Sequence, residues 1–238
     1  EGNSVTALVR TPDNGYHLAK IGARLVYGDL SDGEALKSAV KNRDVVFNLA
    51  AVLPHHNLGD KEYWETNVQG VENLLRVCGQ FDVKRFVHVS TVGVYGPFPE
   101  IDTNEKTIFN PSDVYSKTKA EGERVVLDYW KKKRLPVTIL RPTIGYGPGD
   151  TRPVFLPLFS LIKKRMFISI GQGDNFLHTA YVDNLLDALL LAASSPEAIG
   201  EDFIIGDDPC PTMKEIVNTI AGIEGVGLHS FSIPEGLA

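Results

Sequence analysis

The sequence has little cysteine, no long apolar run and no excess of positive charge. Its two cysteines, Cys78 and Cys210, have neither metal-binding nor redox spacing and do not indicate a disulfide scaffold. No run of about 18 apolar residues is present, so no membrane span is predicted, and no signal peptide is evident. The 24 basic and 30 acidic residues give a net charge of −6, which argues against nucleic acid as the main partner. We therefore expect a soluble, cytoplasmic protein.

The apolar pattern alternates between short β-rich runs and helical segments of ten or more residues. The predicted strands are SVTALVR (4–10), ARLVYGDL (23–30), DVVFNLAA (44–51), KRFVHVS (84–90) and PVTILRP (136–142). Helices are predicted at about 31–42, 60–81 and 112–134, and TPDNG (11–15) is predicted as a turn. This alternation predicts an α/β fold with a doubly wound parallel sheet, in which functional residues gather at the carboxyl ends of the strands.

Thr91, Tyr115 and Lys119 form the candidate catalytic group. Tyr115 and Lys119 are spaced i, i+4, so on a helix they share one face with roughly 5–6 Å between their Cβ atoms. The Lys119 cation favours the ionised phenol of Tyr115, which suits a group that exchanges a proton near neutral pH. Thr91 lies where the preceding strand ends and can hydrogen-bond a substrate oxygen whose charge changes.

The tyrosine–lysine spacing alone is not specific, because the chain holds three such pairs. The other two are Tyr16 with Lys20 and Tyr129 with Lys133. Only Tyr115 follows an apolar strand that leads into the turn STVGVYG. Its context therefore selects Tyr115 as the candidate. The adjacent pair His55 and His56 has no surrounding ligand cluster, so we expect no metal site.

Three segments occur in an order that resembles a known family. They are VSTVGVYG, PSDVYSKTKAEGE and LRPTIGYGPGD, and together they resemble the extended short-chain dehydrogenases/reductases, which include NAD(P)-dependent epimerases, dehydratases and reductases. The resemblance covers nearly the whole chain. It implies a Rossmann-type sheet, a nicotinamide cofactor, and hydride transfer to or from a hydroxyl or carbonyl group of a small organic substrate.

The resemblance also implies roles for individual residues. Tyr115 would exchange the proton with the substrate oxygen, Thr91 would position that oxygen, and Lys119 would bond the nicotinamide ribose. Arg10 ends the strand that faces the adenosine ribose, and a basic residue there suits a 2′-phosphate, so NADP is preferred over NAD. The remaining implied cofactor-binding residues are Asp29, Leu30, Ala50, Ala51, Asn67, Pro142 and Ile144.

The domain prediction follows the same resemblance. It assigns 1–150 to a dinucleotide-binding domain, 151–181 to a substrate-region insertion, 182–206 to a return to the first domain, and 207–238 to a truncated substrate region. A glycine-rich turn between a first strand and helix, which would hold the pyrophosphate, is absent from the sequence. We therefore expect the chain to be a fragment that lacks this unit, with weakened cofactor binding if nothing precedes it.

Two departures from the family pattern bear on the reaction. Val92 and Gly93 stand where dehydratases of the family carry an Asp-Glu pair, and Ile144, which has no hydrogen-bonding side chain, stands near the place where nucleotide-sugar epimerases carry an asparagine. These positions favour the branch of 3β-hydroxysteroid dehydrogenases and dihydroflavonol reductases, with an epimerase as the alternative. A non-catalytic cofactor sensor or scaffold is the alternative of another class. The helices at 60–81 and 112–134 resemble the family's dimer-forming pair, so a homodimer is expected.

Overall fold

The computed structural model describes residues 2–56, 58–97, 103–133, 135–152, 154–228 and 232–233. It contains two compact units. The first comprises Glu1–Arg141 with Leu189–Ile204, and the second comprises Pro142–Ala188 with Ile205–Ala238. These boundaries fall at 141, 188 and 204, whereas the sequence pattern places its divisions at 150, 181 and 206.

Strands and helices alternate along the first unit, as the apolar pattern predicts. In chain order the elements are β1 (Thr6–Val9), α1 (Pro12–Lys20), β2 (Arg24–Tyr27), α2 (Gly33–Val40), β3 (Val45–Asn48), α3 (Asp60–Trp64), α4 (Val71–Cys78), β4 (Arg85–Val89), α5 (Val114–Lys133) and β5 (Val137–Pro142). A π-helical turn, Glu65–Gly70, joins α3 to α4, and a 3₁₀ turn, Val92–Tyr95, follows β4.

The remaining elements complete the chain. They are β6 (Ile144–Tyr146), α6 (Phe155–Lys163), β7 (Ser169–Ile170), β8 (Thr179–Tyr181), α7 (Val182–Ser194), β9 (Asp202–Ile205), α8 (Met213–Glu224) and β10 (Ser232–Ile233). α8 begins with a capping box. The Thr212 hydroxyl accepts the Glu215 N–H at 3.2 Å, and the Glu215 carboxylate accepts the Thr212 N–H at 2.8 Å.

The strands of the first unit form parallel sheets, which confirms the predicted α/β class. The larger sheet has the order β3-β4-β5-β9, while β1 and β2 form a separate parallel pair. β4 and β5 are buried along almost their whole length, whereas β1 and β3 are half-exposed. The interior strands β4 and β5 are therefore the firmest support for whatever follows their carboxyl ends.

The core of the first unit lies between the sheets and the helices α2, α4 and α5. Its fully buried members include Leu36, Leu75, Phe86, Val126 and Ile139. Burying a side chain of this kind contributes roughly 1.5–3 kcal/mol relative to leaving it exposed. This packing holds α5 against β4 and β5, so the start of α5 has a defined position relative to the sheet.

The predicted turn at 11–15 is wrong, because α1 begins there at Pro12. Thr11 precedes the helix in an extended conformation, and Pro12 occupies a first-turn position where its missing N–H leaves no bond unmade. Asp13 in the first turn and Lys20 in the last complement the helix dipole. The residues that suggested a turn are therefore helix-start signals.

No helix in the described part of the chain combines the length and the apolar character needed to cross a bilayer.

Gly122 lies where α5 passes close to the π-helical turn. A Cβ at this position would lie 2.6 Å from the backbone oxygen of Asn67, and backbone cannot move aside as a side chain can. Although alanine is the better helix former, we expect Gly122→Ala to lower the free energy of unfolding by about 1–3 kcal/mol, as measured by urea denaturation.

The control is Gly33→Ala at the start of α2 in the same unit, where a Cβ meets nothing within 4 Å. This variant should be neutral or more stable by up to about 1 kcal/mol. Equal or higher stability of Gly122→Ala would contradict the close approach.

Candidate active site

The position of the predicted pair is set by the cap of α5. The Asp113 carboxylate accepts the Ser116 N–H at 2.9 Å, and the Ser116 hydroxyl accepts the Asp113 N–H at 3.3 Å. Asp113 therefore caps the helix. Tyr115 and Lys119 follow in the first two turns, so the structure brings them onto one face of α5.

Lys119 connects α5 to the carboxyl end of β4. Its side chain is almost completely buried, with 2% exposure, and Nζ donates a hydrogen bond of 2.7 Å to the backbone oxygen of Val89. Burial lowers the pKa of Lys119 to about 8, and the charge of Glu123 opposes this shift. The ammonium is thus held at Val89, two residues before Thr91 in the chain. With a pKa of about 8, it is mostly protonated at neutral pH.

Thr91 begins the 3₁₀ turn that follows β4. Its Oγ1 accepts the Gly93 N–H at 3.1 Å, and a hydroxyl that accepts in this way can still donate its own hydrogen. A Cβ on Gly93 would lie 3.7 Å from the Cβ of Ser116. This turn therefore packs against the first turn of α5, beside the segment that carries Tyr115.

Asn67 supports the same region from the π-helical turn. The side chain is fully buried. Its oxygen accepts the Val52 N–H at 2.8 Å, and its amide nitrogen donates to Val52 O at 3.3 Å and to Thr118 Oγ1 at 3.1 Å. Thr118 in turn donates to the backbone oxygen of Tyr115 at 2.9 Å. Asn67 therefore joins the loop after β3 to the turn of α5 between Tyr115 and Lys119.

His88 is a residue of β4 and is close enough to Lys119 for its imidazole to be affected by the ammonium charge. It is fully buried, and its Nδ1 is 3.1 Å from Nδ2 of Asn48 on the neighbouring strand, so the amide donates and Nδ1 accepts in the neutral ring. Burial lowers the pKa of His88 well below its ordinary value, and the charge of Lys119 lowers it further. His88 is therefore neutral and adds no second positive charge beside Lys119.

A buried ion network that the sequence analysis missed adjoins this group. Arg141 Nε lies 3.1 Å from each carboxylate oxygen of Glu123, and another of its guanidinium nitrogens donates to Glu123 at 2.7 Å. Arg141 also donates to the Tyr95 hydroxyl at 2.7 Å and forms an ion pair with Asp202. An arginine inside the apolar strand VTILRP was the available signal, since a buried arginine requires a partner.

The predicted adenosine-side residues lie at the ends of β1, β2 and β3. Arg10 and Asp29 are both exposed. Hydrogen bonds from the hydroxyl and the N–H of Ser31 lower the pKa of Asp29, and the charge of Arg10 lowers it slightly further. Ala50 is exposed and Ala51 is half-buried, so this edge of the sheet presents small side chains and accessible backbone.

Leu30 has a different environment from its predicted neighbours. Its side chain belongs to the hydrophobic core, and its carbonyl accepts a bond of 3.0 Å from the Asn73 side chain. Only its remaining backbone could therefore face a ligand. Pro142 and Ile144 are half-buried in the second unit, where the Ile144 N–H donates to His178 O at 3.1 Å.

The second unit has a polar pocket of about 310 Å³ lined by Tyr146, Tyr181, Asn184 and Asp207, among others. Asp207 accepts bonds from Thr179 Oγ1 at 3.0 Å, from the Tyr181 N–H at 2.9 Å and from the Asn184 side chain at 2.9 Å. These bonds lower the pKa of its carboxyl, although burial opposes them. Asp207 thus ties β8 to the first turn of α7.

The parallel α/β architecture is the one in which doubly wound proteins bind nucleotide cofactors at the carboxyl ends of their strands, and the predicted tyrosine–lysine pair lies beside one such end, that of β4. The sequence model of the NAD dependent epimerase/dehydratase family matches residues 1–206. The chain belongs to that family, which confirms the resemblance drawn from its motifs.

Similar proteins include reductases, epimerases and dehydratases. The chain is 29% identical to a Stigmatella aurantiaca 4-hydroxy-2-methyl-3-oxo-4-farnesyl-3,4-dihydroquinoline-1-oxide ketoreductase, covering 98% of this chain and 70% of the relative. It is 30% identical to the Vibrio cholerae UDP-glucose 4-epimerase, covering 82% and 61%. The solved structure of the Streptomyces venezuelae dTDP-glucose 4,6-dehydratase DesIV, with NAD and TYD bound, aligns with a TM-score of 0.81 at 26% identity, covering 99% and 76%.

The chain spans between 48% and 70% of the length of the first curated relatives it matches. The activity of the whole protein is therefore a matter for proposal.

The neutral state of His88 predicts a pH dependence of stability. The unfolded chain takes up a proton below the ordinary histidine pKa of about 6.5, whereas the folded protein does not because its His88 pKa is depressed. The stability associated with His88 is thus present above that pH and is lost as the pH falls, by up to about 1.4 kcal/mol per pH unit.

Urea denaturation between about pH 6.5 and 4.5 should therefore give a shallower loss of stability for His88→Gln than for the wild type. His17→Gln, which removes an exposed imidazole from α1, controls for the loss of a histidine. Identical slopes for His88→Gln and the wild type would show that His88 is protonated in the fold.

Proposed function

We propose that the protein is an NAD(P)-dependent oxidoreductase that transfers hydride between a nicotinamide cofactor and a hydroxyl or carbonyl group of a small organic substrate. The observation that carries this proposal is the buried Lys119 ammonium, one helical turn from Tyr115 and bonded to Val89 O at the end of β4. A structural lysine rarely occupies such a position. Membership of a family of NAD-dependent enzymes supports the same conclusion.

The chain's own residues account for the proton chemistry. In the direction of reduction, the Tyr115 phenol donates its proton to the carbonyl oxygen, and the Lys119 ammonium stabilises the phenolate that remains. Thr91 donates a hydrogen bond to the same oxygen and favours the charge that develops there. Oxidation reverses these transfers. When bound, the nicotinamide cofactor supplies or accepts the hydride at the substrate carbon.

The residues at the strand ends fit the adenosine part of a dinucleotide. Arg10 offers a cation and Asp29 a carboxylate within the same exposed edge, and Ala50 leaves the backbone after β3 accessible. Asn67 holds the loop after β3 in place through Val52. No glycine-rich turn joins a strand to a helix in the part of the chain that the structure describes, so we assign no residue to the pyrophosphate.

Tyr115→Phe is the first test of the mechanism. Turnover on a panel of ketones and nucleotide sugars should fall by about 10²–10⁴-fold because the proton donor is lost, while calorimetry should show cofactor affinity close to that of the wild type. The matched control is Tyr129→Phe, which alters another Tyr-x-x-x-Lys pair on the same helix and should retain turnover.

Full turnover by Tyr115→Phe would overturn the catalytic assignment. If neither NADH nor NADPH binds the wild-type chain, the titration is repeated after adding a strand, a glycine-rich turn and a helix before residue 1. Binding restored by that addition would support an oxidoreductase, whereas continued absence of binding would support a non-catalytic scaffold.

A preference for NADP over NAD belongs to the same proposal. The Arg10 guanidinium can pair with a 2′-phosphate, and charge-assisted bonds of this kind contribute about 1.5–3 kcal/mol. Calorimetry of Arg10→Gln should therefore show NADPH affinity reduced by about 10–100-fold with little change for NADH. The control is Arg24→Gln. Arg24 lies at the amino end of β2, away from the carboxyl strand ends, so this variant should leave the affinities for both cofactors unchanged. An equal loss for the two cofactors in Arg10→Gln would remove the basis for this preference.

A nucleotide-sugar epimerase is the second candidate, favoured by the similarity to the Vibrio cholerae UDP-glucose 4-epimerase. Conversion of a nucleotide sugar to its epimer, without net consumption of cofactor, would support it over net reduction of a ketone.

We also propose a homodimer in the cytoplasm. Helices α3 and α5 contact each other, and Trp64 on α3 is 45% exposed, which suits a surface that a second copy covers. Composition and charge underlie the proposed location.

A further inference from the structure

Lys119 and Glu123 are spaced i, i+4 on α5, so both side chains point to the buried face of the helix. Lys119 is 2% exposed and Glu123 is completely buried. The titratable groups around Lys119 are Tyr115 and Glu123 on its own helix and neutral His88 on β4. Glu123 is the carboxylate among them, and its charge acts on the Lys119 ammonium.

Arg141 pairs with the Glu123 carboxylate through three close contacts. The guanidinium approaches both carboxylate oxygens, with nitrogen–oxygen distances of 3.1, 3.1 and 2.7 Å. Burial alone would lower the pKa of Arg141, but its bonds with Glu123 and the charges of Glu123 and Asp202 raise it. The Glu123 carboxylate is therefore fixed by charge-assisted bonds in a dry environment.

The count of charges indicates that the Glu123 carboxylate balances a positive charge besides that of Arg141. Arg141 already has an ion pair with Asp202, which neutralises its single positive charge. Adding the Glu123 carboxylate leaves this trio with one excess negative charge. Burial lowers the pKa of Lys119 and the charge of Glu123 opposes that shift, so Lys119 supplies the positive charge that balances the excess. Two buried cations thus share two carboxylates.

We propose that Glu123 is a positioning residue whose carboxylate, held by Arg141, acts as the internal counter-ion that keeps Lys119 protonated. The same network also reaches Thr91, because Arg141 donates to Tyr95 at the end of the 3₁₀ turn that Thr91 begins. The inference rests on the proposed function for the role of Lys119. The coupling between Glu123 and Lys119 can nevertheless be measured without cofactor or substrate.

The test is the ¹³C NMR titration of protein labelled at lysine Cε, with the Lys119 signal assigned from its absence in Lys119→Met. The wild-type signal should titrate near pH 8. In Glu123→Gln the midpoint should fall by about one pH unit or more, since the ammonium loses its counter-ion. The matched control is Glu121→Gln on the same helix, whose partly exposed carboxylate pairs with Arg124 at 2.8 Å, and its midpoint should equal that of the wild type.

Glu123→Gln leaves Arg141 without this partner and can prevent folding, which circular dichroism detects. A second variant is therefore included. The double variant Glu123→Gln/Arg141→Met removes both charges of the buried pair while keeping the packing, a replacement that proteins often tolerate. Its Lys119 midpoint should also lie below that of the wild type. An unchanged midpoint in whichever of the two variants folds overturns the proposal, and so does an equal fall in Glu121→Gln.

The outcome for the coupling is distinct from that for the enzyme. A fall in the Lys119 midpoint in a protein that binds neither NADH nor NADPH, even after the glycine-rich unit is added, would support the internal counter-ion and contradict the oxidoreductase assignment. In an active protein, the same substitution should move the alkaline limb of the turnover profile to lower pH, whereas a merely structural role would reduce turnover equally at all pH values.

Discussion

The interaction on which the candidate site depends is the burial of the Lys119 ammonium against Val89 O. A cation in a dry interior is unfavourable unless its donors and its charge are satisfied. The 2.7 Å bond to the end of β4 satisfies one donor and fixes the ammonium relative to the strand that precedes Thr91. The bond that satisfies the buried cation therefore also sets its position relative to β4 and Thr91.

The surroundings of Lys119 follow from this constraint. His88 on β4 is kept neutral by burial and by the charge of Lys119. It therefore adds no second positive charge beside the ammonium. Asn67 supplies an uncharged link between Val52 and Thr118, so it ties the loop after β3 to α5 without changing the charge balance. It can do so because a π-helical turn places its side chain inward, where Gly122 allows the two helical segments to approach.

Local signals explain what the sequence could predict. The strands and helices of the first unit follow apolar periodicity, and the pair Tyr115 and Lys119 follows helical spacing after a strand. The bond from Asn67 to Thr118 and the Arg141–Glu123 pair could not be predicted in the same way, since each joins residues far apart in the chain that meet only after folding. The error at TPDNG has another cause: proline and asparagine favour turns and helix starts alike.

Reduction and epimerisation place similar demands on the first unit. Each requires that a proton move at one oxygen while hydride moves at the carbon that bears it, so under the proposed function the same phenol, ammonium and hydroxyl would serve either reaction. Selection between substrates must then come from groups that contact the rest of the molecule. The second unit offers its own polar pocket, where Asp207 holds Tyr181 and Asn184 in place. Under the proposed function, proton chemistry lies on α5 and β4 and adaptable polar surface lies elsewhere, and such a division would let one family support several reactions.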